Sequence, residues 1–417
     1  MNYIARNQCY IYIVLWMLYY LQEMLMLRGV AAQLIFIILM AMSFYALFAL
    51  HINYRLNAYL KWLDVMMIVL TIYGLIPIIG DWSLYNKEFR LVETWISYYY
   101  LQRLYMSILP IYAFFYYFKR DNLSPKNLYC LFWGFLTFSI LMYYQIFYSV
   151  STELEMDEIT NNAGFYFVPL IPLLHILKIK DIWKYLFLIL ILVYLVMSMK
   201  RGAILAGVVM SVLFVCRHLK TVSIINFAYI LILSIGALWI VYLFAADQYA
   251  VSDYFQMRVG GTLSGDTSGR DLIYKSYWTF FIERTSAMEF LIGNGANATR
   301  VLLGQYAHND WLEFAINQGV FGVVIYLIYW IFFVREWKYY RGNLEFRQML
   351  IDLIVVYFLI SLYSMSFEGM SFIATFCISL CLVNNMSSSE WFVKEKIESM
   401  ILEEYDSESF SHHLHKE

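Results

Sequence analysis

Long apolar runs alternate with short polar segments along most of the chain. Twelve runs lie at residues 5–22, 31–50, 62–80, 95–118, 128–149, 163–177, 183–198, 202–216, 224–245, 311–334, 350–367 and 371–389. A membrane-spanning helix needs about 20 apolar residues, whereas a transmembrane barrel shows alternating segments of about 10 residues. The unbroken runs therefore predict an all-α integral membrane protein with about twelve transmembrane helices.

Composition supports this class and excludes others. The chain is 62% hydrophobic and 14% charged, whereas soluble domains are about 45–50% apolar and about 25% charged. A soluble enzyme is therefore excluded. With 5 Pro and 19 Gly, the chain is neither collagen-like nor of disordered composition. The net charge of −2 argues against nucleic acid as a partner, because nucleic acid requires a basic face.

The distribution of Lys and Arg predicts the orientation. Of the 29 such residues, 18 fall in alternate polar segments that start with the amino-terminal one. Positive segments face the cytoplasm, so both termini are expected there. No small-residue cleavage site follows the first run, which therefore indicates a retained span. The predicted organisation is helices 1–9 over 1–245, a large outer loop over 246–310 between helices 9 and 10, helices 10–12 over 311–389, and a cytosolic tail over 390–417.

Two positions do not follow this charge pattern. Lys200, beside Arg201, occupies a short outer turn, where positive charge is disfavoured. Arg103 lies inside the fourth run, about 12 Å from its outer end. An intramembrane arginine is costly unless it is paired or faces a wet cavity. Arg103 is therefore either a candidate functional residue or half of a structural pair with a buried carboxylate or carbonyls.

The outer loop carries most of the candidate chemistry. An amphipathic stretch over about 271–285 has Ile273, Tyr277, Trp278 and Phe281 along one side. His308 follows near the end of the loop, and Asn309 and Asp310 precede an apolar run, as helix N-caps do. A neutral imidazole is a natural general base near neutral pH, and a positive helix end favours the neutral form. The alternative is a histidine that only hydrogen-bonds the loop.

Cations and glycines surround this histidine in the predicted topology. Arg201, Arg270 and Lys200 fall on the outer side, and arginine forks bind phosphate and pyrophosphate in a bidentate manner. The alternative for each is ordinary surface pairing. Gly293 and Gly295 flank Asn294 and allow either a close approach to a ligand or a simple turn. The outer side lacks a patterned acidic cluster, so the expected chemistry needs no metal and no other cofactor.

The five cysteines all lie in apolar segments, which argues against disulfides or a zinc site. Cys377 and Cys381 are spaced to share one helical face, and the favoured interpretation is packing.

Several short motifs, in order, resemble the O-antigen ligase/polymerase superfamily. Ser198-Met199-Lys200-Arg201-Gly202-Ala203 resembles its S-x-x-R-G-A turn, and Ser268-Gly269-Arg270 followed by Trp278 resembles its S-G-R…W segment. Gly293-Asn294-Gly295, His308-Asn309-Asp310-Trp311-Leu312 and Gly319-Val320-Phe321-Gly322 resemble its G-x-G…H-N-x-x-L…G-x-x-G block. The resemblance covers about 198–322. The turn departs from the pattern at Met199-Lys200, where small polar residues often precede the arginine.

The resemblance implies a metal-independent glycosyltransferase of the GT-C type in the bacterial inner membrane. Its donor would be a glycan on undecaprenyl diphosphate, transferred to a glycan acceptor on the periplasmic face. Arg201 and Arg270 would bind the diphosphate. His308 would activate the acceptor hydroxyl or orient the donor, and Lys200, Arg103, Asn309, Gly293 and Gly295 would contribute to substrate binding. Besides membrane lipid, a flippase and a chain-length regulator are the expected partners.

Two activities share these motifs: a polymerase that joins repeat units of O-antigen or capsule, and a ligase that transfers the glycan to the lipid A core. The polymerase is preferred because such enzymes are numerous and diverse in sequence. A twelve-helix polysaccharide transporter is the rival from another class. Carriers tend to show internal repeats and paired broken helices, whereas the polar block here is single and one-sided.

Overall fold

The computed structural model describes residues 7–79, 90–121, 125–150, 161–218 and 269–386, apart from positions 23, 28, 55, 285 and 368, together with isolated positions between 228 and 260. This part of the chain contains helices and loops and no β-strand, which confirms the all-α class. The acidic loop at 153–158, most of the run at 224–245, Ser268 and the tail at 390–417 lie outside the described residues.

The first half of the fold follows the predicted runs closely. Its helices are α1 (Gln8–Tyr20), α2 (Val30–Asn53), α3 (Ala58–Ile79), α4 (Arg90–Asp121), α5 (Pro125–Val150), α6 (Gly164–Phe167), α7 (Leu170–Leu173), α8 (Asp181–Met197) and α9 (Arg201–His218). The run at 163–177 differs from its prediction, because it forms two short turns instead of one span. Pro169 interrupts it, and Val168 and Leu174 are fully buried. In a membrane protein, irregular backbone is tolerated where other protein segments surround it.

The second half contains the loop helices and the last long helices. They are α10 (Arg270–Thr279), which continues into a π-helical turn (Phe280–Arg284), then α11 (Ala287–Ile292), α12 (Ala298–Leu303), α13 (Asp310–Lys338), α14 (Leu344–Tyr363) and α15 (Phe372–Asn385). Tyr277 and Phe281 are buried, as the amphipathic pattern predicts, but Trp278 is 57% exposed. Trp278 lies five residues after Ile273, which places it off the face that repeats every four residues.

Five helices of the described part are long and apolar enough to cross a membrane: Val30–Asn53, Ala58–Leu75, Lys126–Phe147, Asp310–Lys338 and Leu344–Tyr363. Shorter apolar helices occupy Gln8–Tyr20, Gly164–Leu173 and Phe372–Asn385. A multi-pass membrane protein is compatible with these lengths, and the count of twelve spans stays a prediction.

Helix α4 forms the centre of the bundle and contacts α1, α2, α3 and α15. Its residues 108–118 are almost completely buried. Cys377 and Cys381 of α15 are also buried in the core, which confirms that they serve packing. On the other side, α13 packs against α3, α14 and the short loop helix α11. These contacts bring the start of α13, the end of α14 and the start of α9 to the same end of the bundle.

Candidate functional site

A cavity of about 800 Å³ opens at this end of the bundle. Four of the residues predicted from sequence line it: Arg103 from α4, Lys200 before α9, Arg270 from α10 and His308 before α13. Among its described lining residues none is Asp or Glu. The described lining therefore carries an excess of positive charge, and an anion is the ligand that would neutralise it.

His308 lies in the turn that leads into α13. Its backbone has a positive φ of 51°, a conformation that non-glycine residues rarely adopt. The Tyr274 hydroxyl donates a hydrogen bond of 3.1 Å to the His308 carbonyl. Because this contact uses the backbone, the imidazole is left to line the cavity.

The next residue, Asn309, fixes the turn at both sides. Its side-chain oxygen accepts a hydrogen bond from the Leu312 N–H at 3.1 Å, so the predicted N-cap is confirmed. Its amide nitrogen donates to the Leu362 carbonyl at the end of α14, at 2.9 Å. Asn309 is not among the residues that line the cavity. Its two hydrogen bonds hold the His308 turn between the start of α13 and the end of α14.

The surroundings of His308 favour its neutral form. Partial burial lowers the pKa of the imidazole, and the positive charges of Arg270, Lys200 and Arg103 lower it further. Burial and like charges both disfavour the imidazolium. His308 is therefore available as a proton acceptor at neutral pH. The sequence predicted help from a helix terminus and placed Arg270 and Lys200 on the same side as His308, and the structure adds the charge of Arg103 from α4.

Arg270 is the first residue of α10, directly after Gly269, whose φ is 75°. Its guanidinium donates a hydrogen bond of 2.6 Å to the carbonyl of Tyr363, the last residue of α14. The final carbonyls of a helix have no partner within the helix, so they accept donors of this kind. The Tyr363 hydroxyl in turn donates to the Gly202 carbonyl in α9 at 2.8 Å. Tyr363 therefore links the two predicted arginine motifs.

The turn that carries Lys200 and Arg201 is held by buried neighbours. Ser198 is fully buried, and its carbonyl accepts a hydrogen bond of 3.0 Å from the Asn161 N–H. Met199 has a positive φ of 52°, which reverses the chain before α9. Lys200 lines the cavity, whereas Arg201 begins α9, is half-buried and is not among the lining residues. Of these two predicted site residues, the structure therefore places Lys200 on the described cavity lining.

Arg103 lines the cavity from helix α4, at the centre of the bundle. Its guanidinium carbon lies 5.5 Å from the ring centre of Tyr99 and 5.0 Å from that of Tyr306. Attraction to aromatic rings stabilises a cation that has left bulk water. The side chain therefore has partners within the protein and still contributes its charge to the cavity.

Gly293 and Gly295 do not line the cavity, but they pack against a break in α13. At Gly319 the φ is 67°, and the backbone there is not helical. The break leaves the Ile316 and Asn317 carbonyls to accept hydrogen bonds from the N–H groups of Asn294 (2.9 Å) and Gly295 (2.8 Å). A Cβ on Gly293 would overlap the Asn317 backbone. In the structure these glycines permit close backbone packing.

Two buried carboxylates organise the site, although sequence analysis assigned neither this role. Asp310, expected to be an N-cap, is 2% exposed, and it accepts hydrogen bonds from the backbone N–H groups of Ser366 and Phe367 at 3.0 and 3.1 Å. Glu313 accepts from the Ala307 N–H and the Thr299 hydroxyl at 2.5 and 2.6 Å. The sequence does contain a signal for this role. Asp310 and Glu313 are three residues apart at the start of an apolar helix, so they lie on one face of it.

Among the described residues, no three His, Cys, Asp or Glu side chains form a group that could hold a metal ion. On the described cavity lining the structure brings together His308 and three cations, Arg103, Lys200 and Arg270. No family model matches the sequence, and comparison with curated proteins finds no match.

Proposed function

We propose that this protein is a bacterial inner-membrane glycosyltransferase of the GT-C type, with about twelve spans, that polymerises undecaprenyl-diphosphate-linked repeat units of O-antigen or capsule on the periplasmic face. The observation that carries the proposal is the cavity in which Arg103, Lys200 and Arg270 surround His308 and no acidic residue contributes to the described lining. The motif resemblance supplies the substrate class.

A diphosphate suits this charge distribution. Guanidinium groups bind phosphate oxygens through two parallel hydrogen bonds, and a lysine adds a point charge. The start of α9, directly after Lys200, adds the positive end of an 18-residue helix. Charge develops on the diphosphate as it departs, so cations that are already in place stabilise the transition state more than the ground state.

His308 would serve as the base. The acceptor hydroxyl attacks the anomeric carbon of the donor sugar while its proton passes to the neutral imidazole. The bond between that carbon and the diphosphate oxygen breaks, and the electron pair leaves with the diphosphate. A proton transfer of this kind contributes about 10²- to 10⁴-fold to the rate. With no carboxylate nucleophile on the described lining, a single displacement with inversion is proposed.

The two alternative functions, ligase and transporter, differ from a polymerase in what happens to the lipid-linked glycan. A ligase would transfer the finished glycan to the lipid A core, and a transporter would move lipid-linked units without making a bond. Glycan donor, glycan acceptor and membrane lipid are the proposed partners of a polymerase, with a flippase before it and a chain-length regulator beside it.

The direct test measures chain extension by the purified protein in lipid nanodiscs, with lipid-linked repeat units from a host strain that lacks the gene. Arg270→Ala should reduce the rate by about 10²-fold or more, because it removes a cation from the leaving group. The matched control is Lys338→Ala, a cation about 40 Å along α13 from His308. Equal rates in wild type and Arg270→Ala would refute the proposal.

Deletion of the gene separates the alternatives. Loss of a polymerase leaves surface glycan with a single repeat unit. Loss of a ligase leaves bare core while lipid-linked polymer accumulates, and loss of a transporter strands units on the inner face.

A further inference from the structure

One wall of the cavity has a different chemistry from the cationic side. Among the described residues, those that line the cavity from α1 and the turn after it, from α5 and from the segment around α6 carry no charge. Their polar groups are amides and phenols, from Gln22, Gln145, Asn162, Tyr19, Tyr20 and Tyr166. We call these six residues the neutral wall. The described lining thus has a cationic part and a neutral part, which suits a ligand that carries its charge at one end.

Two amides of the neutral wall have unmet hydrogen-bonding capacity. The side-chain oxygens of Gln22 and Gln145 are buried, and neither has a hydrogen-bond partner within the described part of the chain. A buried polar atom without a partner is costly, and such atoms are few in folded proteins. Since an amide can rotate to present either its oxygen or its nitrogen, each glutamine can donate to or accept from a hydroxyl in the cavity.

The aromatic side chains of the neutral wall are held in fixed positions. The Tyr20 ring stacks on Trp16 and Phe372, with centroid distances of 5.7 and 5.9 Å. Tyr166 meets Tyr20 edge-on at 5.7 Å. Gln102 donates to the Tyr19 hydroxyl at 3.4 Å. Rigid aromatic rings beside a few fixed polar groups are typical of small-molecule sites, and they suit a ligand with both apolar surface and hydroxyl groups, as a sugar ring has.

We propose that the neutral wall binds the first sugars of the lipid-linked glycan, and that these sugars are uncharged. This inference rests on the proposed function. An acidic sugar would require a cation on this wall, and a cationic sugar would require a carboxylate, but the wall has neither. A lipid tail would leave the buried amide oxygens without donors, whereas sugar hydroxyls supply them.

The experiment compares two ligands that differ only in the sugar. The protein in nanodiscs is titrated with undecaprenyl diphosphate and, separately, with the lipid-linked glycan from a host strain that lacks the gene. Gln22→Met and Gln145→Met keep the side-chain size and remove the hydrogen-bonding groups. Each should weaken binding of the glycan by about two- to tenfold, and the double variant by about the product. Binding of undecaprenyl diphosphate should not change. The matched control is Gln33→Met, at an exposed position in α2 outside the cavity.

The outcomes separate the two proposals. Unchanged glycan binding in both single variants, or equal weakening for both ligands in monodisperse protein, would overturn the sugar site. A sugar next to the diphosphate that carries a carboxylate or a free, unacetylated amino group, found by composition analysis of the same lipid-linked glycan, would also overturn it. If Arg270→Ala leaves undecaprenyl diphosphate binding unchanged, the proposed function fails instead. If the double variant does not fold, the single variants provide the same comparison.

Discussion

The cavity around His308 and the buried cluster around His175 both join a histidine to arginine, but their charges are arranged differently. At His175, the imidazole lies 2.8 Å from an Asp352 carboxylate oxygen, and Arg217 forms an ion pair with the same carboxylate. Arg217 also donates to the Gln348 carbonyl at 2.9 Å. Here the Asp352 carboxylate balances the charge of the Arg217 guanidinium, and His175 and Asp352 have almost no exposure.

At His308 the described cavity lining supplies cations and no acid. The clusters share helix α14, because Asp352 lies about 16 Å along it from Tyr363, which accepts the hydrogen bond from Arg270. A buried pair that is internally neutral requires no ligand and contributes to the fold. An excess of like charge facing open space requires an anion. The arrangement of charge, more than residue type, therefore separates a binding site from a structural cluster.

The largest expected effect distinguishes the two histidines. His308→Ala should lower the rate of chain extension by about 10²- to 10⁴-fold, because the proton acceptor is lost. Its melting temperature should stay close to that of wild type, because the contact to Tyr274 uses the His308 backbone. Extension assays and thermal unfolding in detergent measure the two quantities. A near-normal rate in the variant would show that His308 is not the base.

The second effect concerns the buried cluster of His175, Arg217 and Asp352. Asp352→Ala leaves His175 and Arg217 without their shared carboxylate, and removing one partner of a buried pair costs about 3–5 kcal/mol. We expect a large fall in melting temperature. Protein that remains folded should still bind undecaprenyl diphosphate. If stability is unchanged and diphosphate binding is lost, the assignment of this cluster to the fold is wrong.

The smallest effect tests the electrostatics of the cavity. Since neutral His308 is the active form, the rate should fall as pH decreases through its pKa. Burial and the neighbouring cations lower that pKa below the usual 6.5, so activity should persist to a lower pH than an unperturbed histidine would allow. Lys200→Gln removes one positive charge, which raises the pKa and moves the acidic limb of the pH profile to higher pH.

Lys338→Gln, distant on α13, serves as the control and should leave the profile in place. A shift to lower pH in the Lys200 variant would contradict the geometry of the cavity.

Prediction from sequence succeeded where local pattern was sufficient. The apolar runs located α2, α3 and α4 within a few residues, and the Asn309 cap follows from its place before an apolar run. The prediction of a single spanning helix at 163–177 was wrong. Apolar residues around Pro169 are expected both in a spanning helix and in buried irregular backbone, so the pattern does not distinguish the two. Gln22 and Gln145 were not identified, since single polar residues in or beside long apolar helices carry no local pattern.

The sequence by itself determined that the chain is helical and suited to a membrane, because apolar excess and run length are properties of local segments. It also supplied the candidate residues. Only the tertiary structure decided that Arg103, Lys200, Arg270 and His308 line one cavity while Gly293 and Gly295 pack against α13. That division depends on the break at Gly319 and on the end of α14, where residues far apart in the chain meet. Contacts of this kind arise from packing, which no local pattern encodes.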